Sequence, residues 1–126
     1  MSYLIDSDVL IDISRGKQAA QEFVDSLPES WAISQVSALE LIVGARDNRD
    51  LSALHEFLSA FSVVSLSDAI GALAYELLRR HAKSHGLHVF DSLIAATAIE
   101  QNLTLVTKNQ RHFAMLESLR VHIRHY

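Results

Sequence analysis

Residues 88–113, HVFDSLIAATAIEQNLTLVTKNQRHF, decide the architecture of this chain. Asp91 opens an apolar, alanine-rich helical run, and after Asn102 a short β-branched segment, residues 103–107, has the composition of a buried strand. The chain then turns through Thr107, Lys108, Asn109 and Gln110. A carboxylate at a helix start and polar groups at the end of a buried strand are how open α/β sheets build sites, because ligands sit outside the carboxyl ends of the strands.

Outward from this stretch the alternation repeats. Tyr3, Leu4 and Ile5 form a short apolar strand that ends at Asp6-Ser7-Asp8, and Val9, Leu10 and Ile13 mark one face of a helix that Gly16 stops. Residues 17–27 carry Ala20, Phe23, Val24 and Leu27 at helical spacing, closed by Pro28. Residues 31–33 read as a second strand, Ser37 as the start of a helix turning Leu39, Ile42 and Val43 inward, and residues 51–61 as a further helix. Val63 and Val64 make a third strand, after which Ser67 caps a long helix striped by Ile70, Leu73, Ala74, Leu77 and Leu78 and ended by Gly86. A turn of helix is expected near residues 113–116. A half-exposed edge strand follows, in which Val121 and Ile123 alternate with Arg120, His122 and Arg124. Strands separated by helices predict an α/β fold, a mostly parallel central sheet covered on both faces, in one domain over residues 1–126.

A chain of 126 residues is long enough to bury about two-thirds of its unfolded surface. Apolar residues at 49% and charged ones at 21% exclude a disordered chain. The absence of cysteine excludes a disulfide framework and a thiolate metal site, and fits a reducing cytoplasm. The longest apolar runs fall far short of the roughly 20 residues that span a bilayer, and the start, MSYLID, lacks the features of a signal peptide, so an intracellular protein without a membrane partner is expected. A formal net charge of -4 argues against a general electrostatic nucleic-acid binder. It is compatible with acting on nucleic acid where local basic groups and a metal ion offset the carboxylates.

The acids are placed suggestively. Asp6 follows the first strand, Glu40 sits one turn into a helix, Asp91 starts another, and Asn109 lies just past a strand. In a parallel sheet all four can meet at its carboxyl edge. Each pair of carboxylates about 4 Å apart repels by ~4 kcal/mol at an effective dielectric of roughly 20, so gathering them requires neutralisation. A hard divalent cation does this with oxygen ligands, and it also activates water and shields a phosphate, which makes nuclease chemistry follow. Each residue also has a local explanation. Asp6 suits a strand-ending turn, Asp91 a helix N-cap, and Ser37-Ala38-Leu39-Glu40 a capping box in which Glu40 binds the Ser37 N–H. Asn109 suits a turn and Asp8 a helix start. The functional reading rests on combination and order.

The segments YLIDSDVLID, SALELIVGA, FDSLIAATAIEQNLTLVTKNQRHF and LRVHI resemble, in order and spacing, the PIN-domain ribonucleases, most closely the VapC-type toxins of bacterial toxin–antitoxin pairs. The resemblance implies a PIN-like three-layer α/β/α sandwich, a homodimer, an RNA substrate, Mg²⁺ or Mn²⁺ as cofactor, and a VapB-type antitoxin whose tail occupies the groove. It assigns catalytic roles to Asp6, Glu40, Asp91 and Asn109. Asp6 and Asp91 would hold the metal, with Glu40 binding through water or orienting the nucleophile. Many members carry an acid at the Asn109 position; an amide there suits a role binding water or phosphate. Thr107, in the same loop, looks like the family's hydroxyl-bearing neighbour, and Ser7 lies beside the first acid. Lys108 and Arg111, with His112 beside them, adjoin the site as candidate phosphate contacts, whereas Arg79, Arg80 and Lys83 suit a solvated helix face.

Three rival readings remain open. His81 and His85, at i and i+4 with His88 following, invite zinc, although no nearby carboxylate completes a pattern such as H-E-x-x-H. Asp6-Ser7-Asp8-Val9 also resembles the opening of haloacid-dehalogenase-type phosphatases, where the first aspartate is a nucleophile, but the later loop offers Lys108-Asn109 in place of paired acids. Asn109 can instead mark a weakened, PIN-like binding module. His122 and His125 are expected as exposed edge residues or dimer contacts.

Overall fold

The computed structural model describes residues 2–123 and residue 126. Among them, β1 (Tyr3–Ile5), β2 (Trp31–Ser34), β3 (Val63–Val64), β4 (Thr104–Thr107) and β5 (Val121–Ile123) form a sheet in the order β3-β2-β1-β4-β5. Every neighbouring pair runs parallel. Parallel strands need crossovers, and helices supply them: α1 (Ser7–Ser14), α2 (Gln18–Asp25), α3 (Gln35–Val43), α4 (Asn48–Leu58), α5 (Asp68–His85) and α6 (Val89–Glu100).

Successive strand residues point to opposite faces, and this period of two divides the core. Leu4, Ala32 and Leu105 face one cluster with Ile70, Ala74 and Leu77 of α5 and Ile94 and Ala95 of α6. Ile5, Ile33 and Val106 face the other with Val9, Leu10 and Ile13 of α1, Val24 of α2 and Leu58 of α4. Strands buried on both sides must be covered on both sides, which gives the three-layer α/β/α arrangement expected from the sequence. Helix α5 begins as the sequence predicts, with the Ser67 hydroxyl accepting the Ile70 N–H at 3.2 Å, and it ends on Gly86 at φ +69°, the left-handed cap that glycine adopts without strain.

The structure corrects several boundaries. Strand β2 runs straight into α3, so the helix starts at Gln35 and its cap is Ser34, whose hydroxyl accepts the Val36 N–H at 3.1 Å. That start turns Val36, Ser37 and Leu41 inward and leaves Leu39 and Val43 exposed, the reverse of the expected face for the latter two. Helix α4 begins earlier than predicted because Asp47 caps it through the Asp50 N–H, and it ends earlier, at Leu58. The expected turn at 113–116 is instead a 3₁₀ turn, Gln110–Phe113, anchored by buried Phe113. His122 is not an exposed edge residue: its ring packs edge-on to Tyr3 at 6.1 Å and lies 5.8 Å from the ring of Phe23. The expectations for Arg124 and His125 lie outside the described residues. Among the described residues no helix is long and apolar enough to cross a membrane.

Candidate active site

The strand order reverses at β1: the chain builds β2 and β3 on one side, then returns to place β4 and β5 on the other. Ligands of open α/β sheets bind in the crevice outside the carboxyl ends at such a switch point. Asp6 is the first residue beyond β1 and caps α1, its Oδ1 accepting the Ser7 N–H at 2.7 Å. Thr107, the last residue of the adjacent β4, donates its hydroxyl to Asp6 Oδ2 at 2.7 Å.

The loop after β4 is stitched onto the first turn of α1 through Asp8. Its Oδ2 accepts the Lys108 N–H at 2.9 Å and the Asn109 side-chain amide at 3.0 Å, and lies 3.3 Å from the Thr107 hydroxyl. Its Oδ1 accepts the Val9 N–H at 2.7 Å, and the Asn109 N–H returns to Thr107 Oγ1 at 3.0 Å. Asp8 therefore does more than start its helix. Its placement two residues after Asp6, directly past a strand, was the available signal.

Helix α3 joins through Ser7, whose hydroxyl lies 2.9 Å from Glu40 Oε1 and 2.8 Å from the buried Ser37 hydroxyl. With Ser34 as cap, Glu40 is not the reciprocal partner of Ser37 in a capping box; its carboxylate is turned to α1. On α6, Asp91 is the third helical residue and His88 occupies the N-cap position, so the N-cap explanation of Asp91 also falls. The first turn still favours its negative charge. Asp91 Oδ2 lies 3.4 Å from His112 Nδ1.

The electrostatics tie these groups together. Burial, then the charge of Asp8, pushes the Asp6 carboxyl up to about 7, against the lowering effect of the Thr107 hydroxyl and the Ser7 N–H; Asp91 adds to the rise. Asp8 is raised by burial and pulled back by the Lys108 and Val9 N–H groups. Burial likewise raises Glu40, with Asp91 and Asp8 adding their repulsion to it. Asp91 is raised by burial, with His112 and His88 opposing. The structure thus brings Asp6, Glu40 and Asp91 to one sheet edge, with Asp8 among them.

Such a donor set fits a hard divalent cation, whose charge reverses both the burial penalty and the mutual repulsion. Among the described residues no group of three or more His, Cys, Asp or Glu side chains is drawn together closely enough to hold an ion by itself.

The cationic candidates divide. Lys108 directs its ammonium to Asp12 Oδ2 at 2.9 Å instead of leaving it open to phosphate. Arg111 is exposed on the 3₁₀ turn. Arg79 and Arg80 pair with Glu76 at 2.9 and 3.9 Å, as a solvated helix face does. His81 and His85 meet edge-on at 5.5 Å, and among the described residues nothing completes a zinc set around them. A groove of about 610 Å³ opens beside Glu40, with Ile11, Leu41 and Leu54 on its lining and Arg15 and Arg46 among the polar groups.

Residues 3–117 match the PIN domain family. The chain belongs to that family. It is 40% identical over 120 residues to Ribonuclease VapC10 of Mycobacterium tuberculosis, across 93% of this chain and 90% of that one. VapBC2 from Rickettsia felis, solved bound to a DNA fragment from the promoter, contains a chain that matches with a TM-score of 0.84 at 25% identity, over 99% of this chain and 100% of the other. A toxin-antitoxin complex from Klebsiella pneumoniae matches with a TM-score of 0.78 at 29% identity, over 94% and 95%. The PIN fold of these neighbours is the α/β/α fold expected from the sequence. In this PIN domain both oxygens of Asp6 accept hydrogen bonds and the residue is 6% exposed, which ill suits the free nucleophile of a phosphatase.

Proposed function

We propose that this PIN domain is a metal-dependent endoribonuclease, the toxin of a toxin–antitoxin pair, that hydrolyses RNA phosphodiesters with Mg²⁺ or Mn²⁺. The observation that carries the reading is the convergence of Asp6, Glu40 and Asp91 at the switch point, each with its proton affinity raised chiefly by burial. A binding module has no use for mutually repelling acids. Asp6 and Asp91 would hold the ion, with Glu40 binding it through water or orienting the nucleophile; the ion would offset the acids and stabilise charge developing on the phosphate.

The chain's own groups do the rest. Thr107 and the Ser7 N–H fix the Asp6 carboxylate from both oxygens. Ser7 holds Glu40 at the site edge, where its raised proton affinity suits it to orient the attacking water and take its proton. Asn109 spends its amide on Asp8 and so acts on loop geometry, with Arg111 beside it available to phosphate.

Relatives named as ribonucleases and neighbours solved as toxin-antitoxin complexes support both substrate and partner. The groove beside Glu40, apolar along Ile11, Leu41 and Leu54, suits the tail of a VapB-type antitoxin. Exposed Leu39, Val43, Tyr75, Val89 and Phe90 support a homodimer, and the cysteine-free chain suits the cytoplasm. The test incubates purified, antitoxin-free protein with total RNA and Mg²⁺ and maps the new ends. Discrete ends are expected, absent with Asp6→Asn; full cleavage by a folded Asp6→Asn protein overturns the reading.

A further inference from the structure

We propose that Asp12 is a positioning residue that holds the Lys108 ammonium out of the acid cluster and so keeps the cluster open to a divalent cation. The inference rests on the metal-dependent reading above and adds a residue to it. Asp12 lies one helical turn beyond Asp8, on the same face of α1. Lys108 is held at both ends along this face: its backbone N–H donates to Asp8 Oδ2 and its Nζ donates to Asp12 Oδ2, each at 2.9 Å.

The Asp12 carboxylate is itself fixed. The Tyr126 hydroxyl donates to the same Oδ2, and the Tyr126 ring packs 5.6 Å from the Phe23 ring with the Lys17 ammonium 5.0 Å from its centroid. The Lys108 and Asp12 side chains are 28% and 16% exposed, so water screens the pair only in part. With its backbone pinned beside Asp8, a flexible lysine stem has two sets of anions within reach: Asp12, or Asp8 and its acidic neighbours. An ammonium among those neighbours satisfies the same unmet negative charge that draws a divalent ion, and is its internal competitor. Asp12 decides which set the ammonium joins.

Titrating Mn²⁺ into purified full-length protein, followed by calorimetry and by the electron paramagnetic resonance of free Mn²⁺, tests this without a cleavage readout. Asp12→Asn is expected to weaken Mn²⁺ binding about tenfold, the scale of losing a group that orients metal ligands. Adding Lys108→Met to Asp12→Asn is expected to restore affinity to within about twofold of wild type, because the competitor is gone. Tyr126→Phe, which deletes one hydroxyl, gives a smaller loss in the same direction and serves if Asp12→Asn fails to fold. Unchanged affinity in Asp12→Asn, or no recovery in the double variant, overturns the proposal while the nuclease reading stands. Failure of the wild-type protein to bind Mn²⁺ overturns both.

Discussion

On the β1 side of the site, Asp6 and Asp8 accept hydrogen bonds from three backbone N–H groups, the Thr107 hydroxyl and the Asn109 amide. Across the cleft, Glu40 takes one serine hydroxyl, and Asp91 faces a histidine nitrogen at 3.4 Å. The first pair is set by the fold before any ligand arrives. The second pair is more exposed and keeps lone pairs for something from solution. A site that must hold an ion and still admit a phosphate needs both kinds of acid: a fixed reference and an adjustable closure.

The sharpest way to break this comparison is to neutralise one acid from each side. Asp6→Asn and Asp91→Asn should each reduce RNA cleavage on the order of 10³-fold or more, measured as single-turnover rates. They should part in stability. Asp6 sits at about 7 against an ordinary 3.8, so the folded state binds the extra proton between those values and loses stability as pH rises through that window. In metal-free buffer the melting-point advantage of Asp6→Asn over wild type should therefore grow from pH 4 to pH 7 and then level, while Asp91→Asn gains less. An Asp6→Asn protein that melts below wild type at pH 8 would contradict the burial argument.

Thr107 tests the fixed side alone. Thr107→Val removes the donor to Asp6 and should lower cleavage roughly 10- to 100-fold, the usual cost of losing a group that orients a metal ligand, while Thr107→Ser keeps most activity. Equal activity in both variants would mean that Asp6 needs no such support. The smallest effect is expected at Asn109. Asn109→Asp replaces a donor to Asp8 with a like charge, which should cost ~1 kcal/mol of stability without Mg²⁺ and recover most of it with Mg²⁺ in paired melting curves.

Much of this was legible because the signals were local. The pairs Leu4-Ile5, Ala32-Ile33 and Leu105-Val106 each place one apolar side chain on either face, which is enough to demand a covered parallel sheet. Asp6 and Asp91 could be gathered in advance because one follows a strand and the other lies in the first turn of a helix at the same sheet edge, and Glu40 because its helix starts there, although it sits in the second turn. What escaped came from distant partners. Ser34 and Ser37 are equally good caps by type, and only the Ser7 hydroxyl, thirty positions away, claims Ser37 and Glu40 for the site. Asp8 does bond Val9 as a helix-start residue should, but Lys108 and Asn109 reach it from about a hundred residues on. Lys108 looked free for phosphate because nothing in its own neighbourhood names Asp12 as its partner.

The Thr107 hydroxyl meets Asp6 across 101 positions of sequence, and the strand that carries it lies beside β1 within the sheet. The chain must therefore be made through residue 107 before the first aspartate acquires its second anchor. A chain stopped before β4 would contain Asp6, Glu40 and Asp91 yet lack the strand whose hydroxyl orients the first of them.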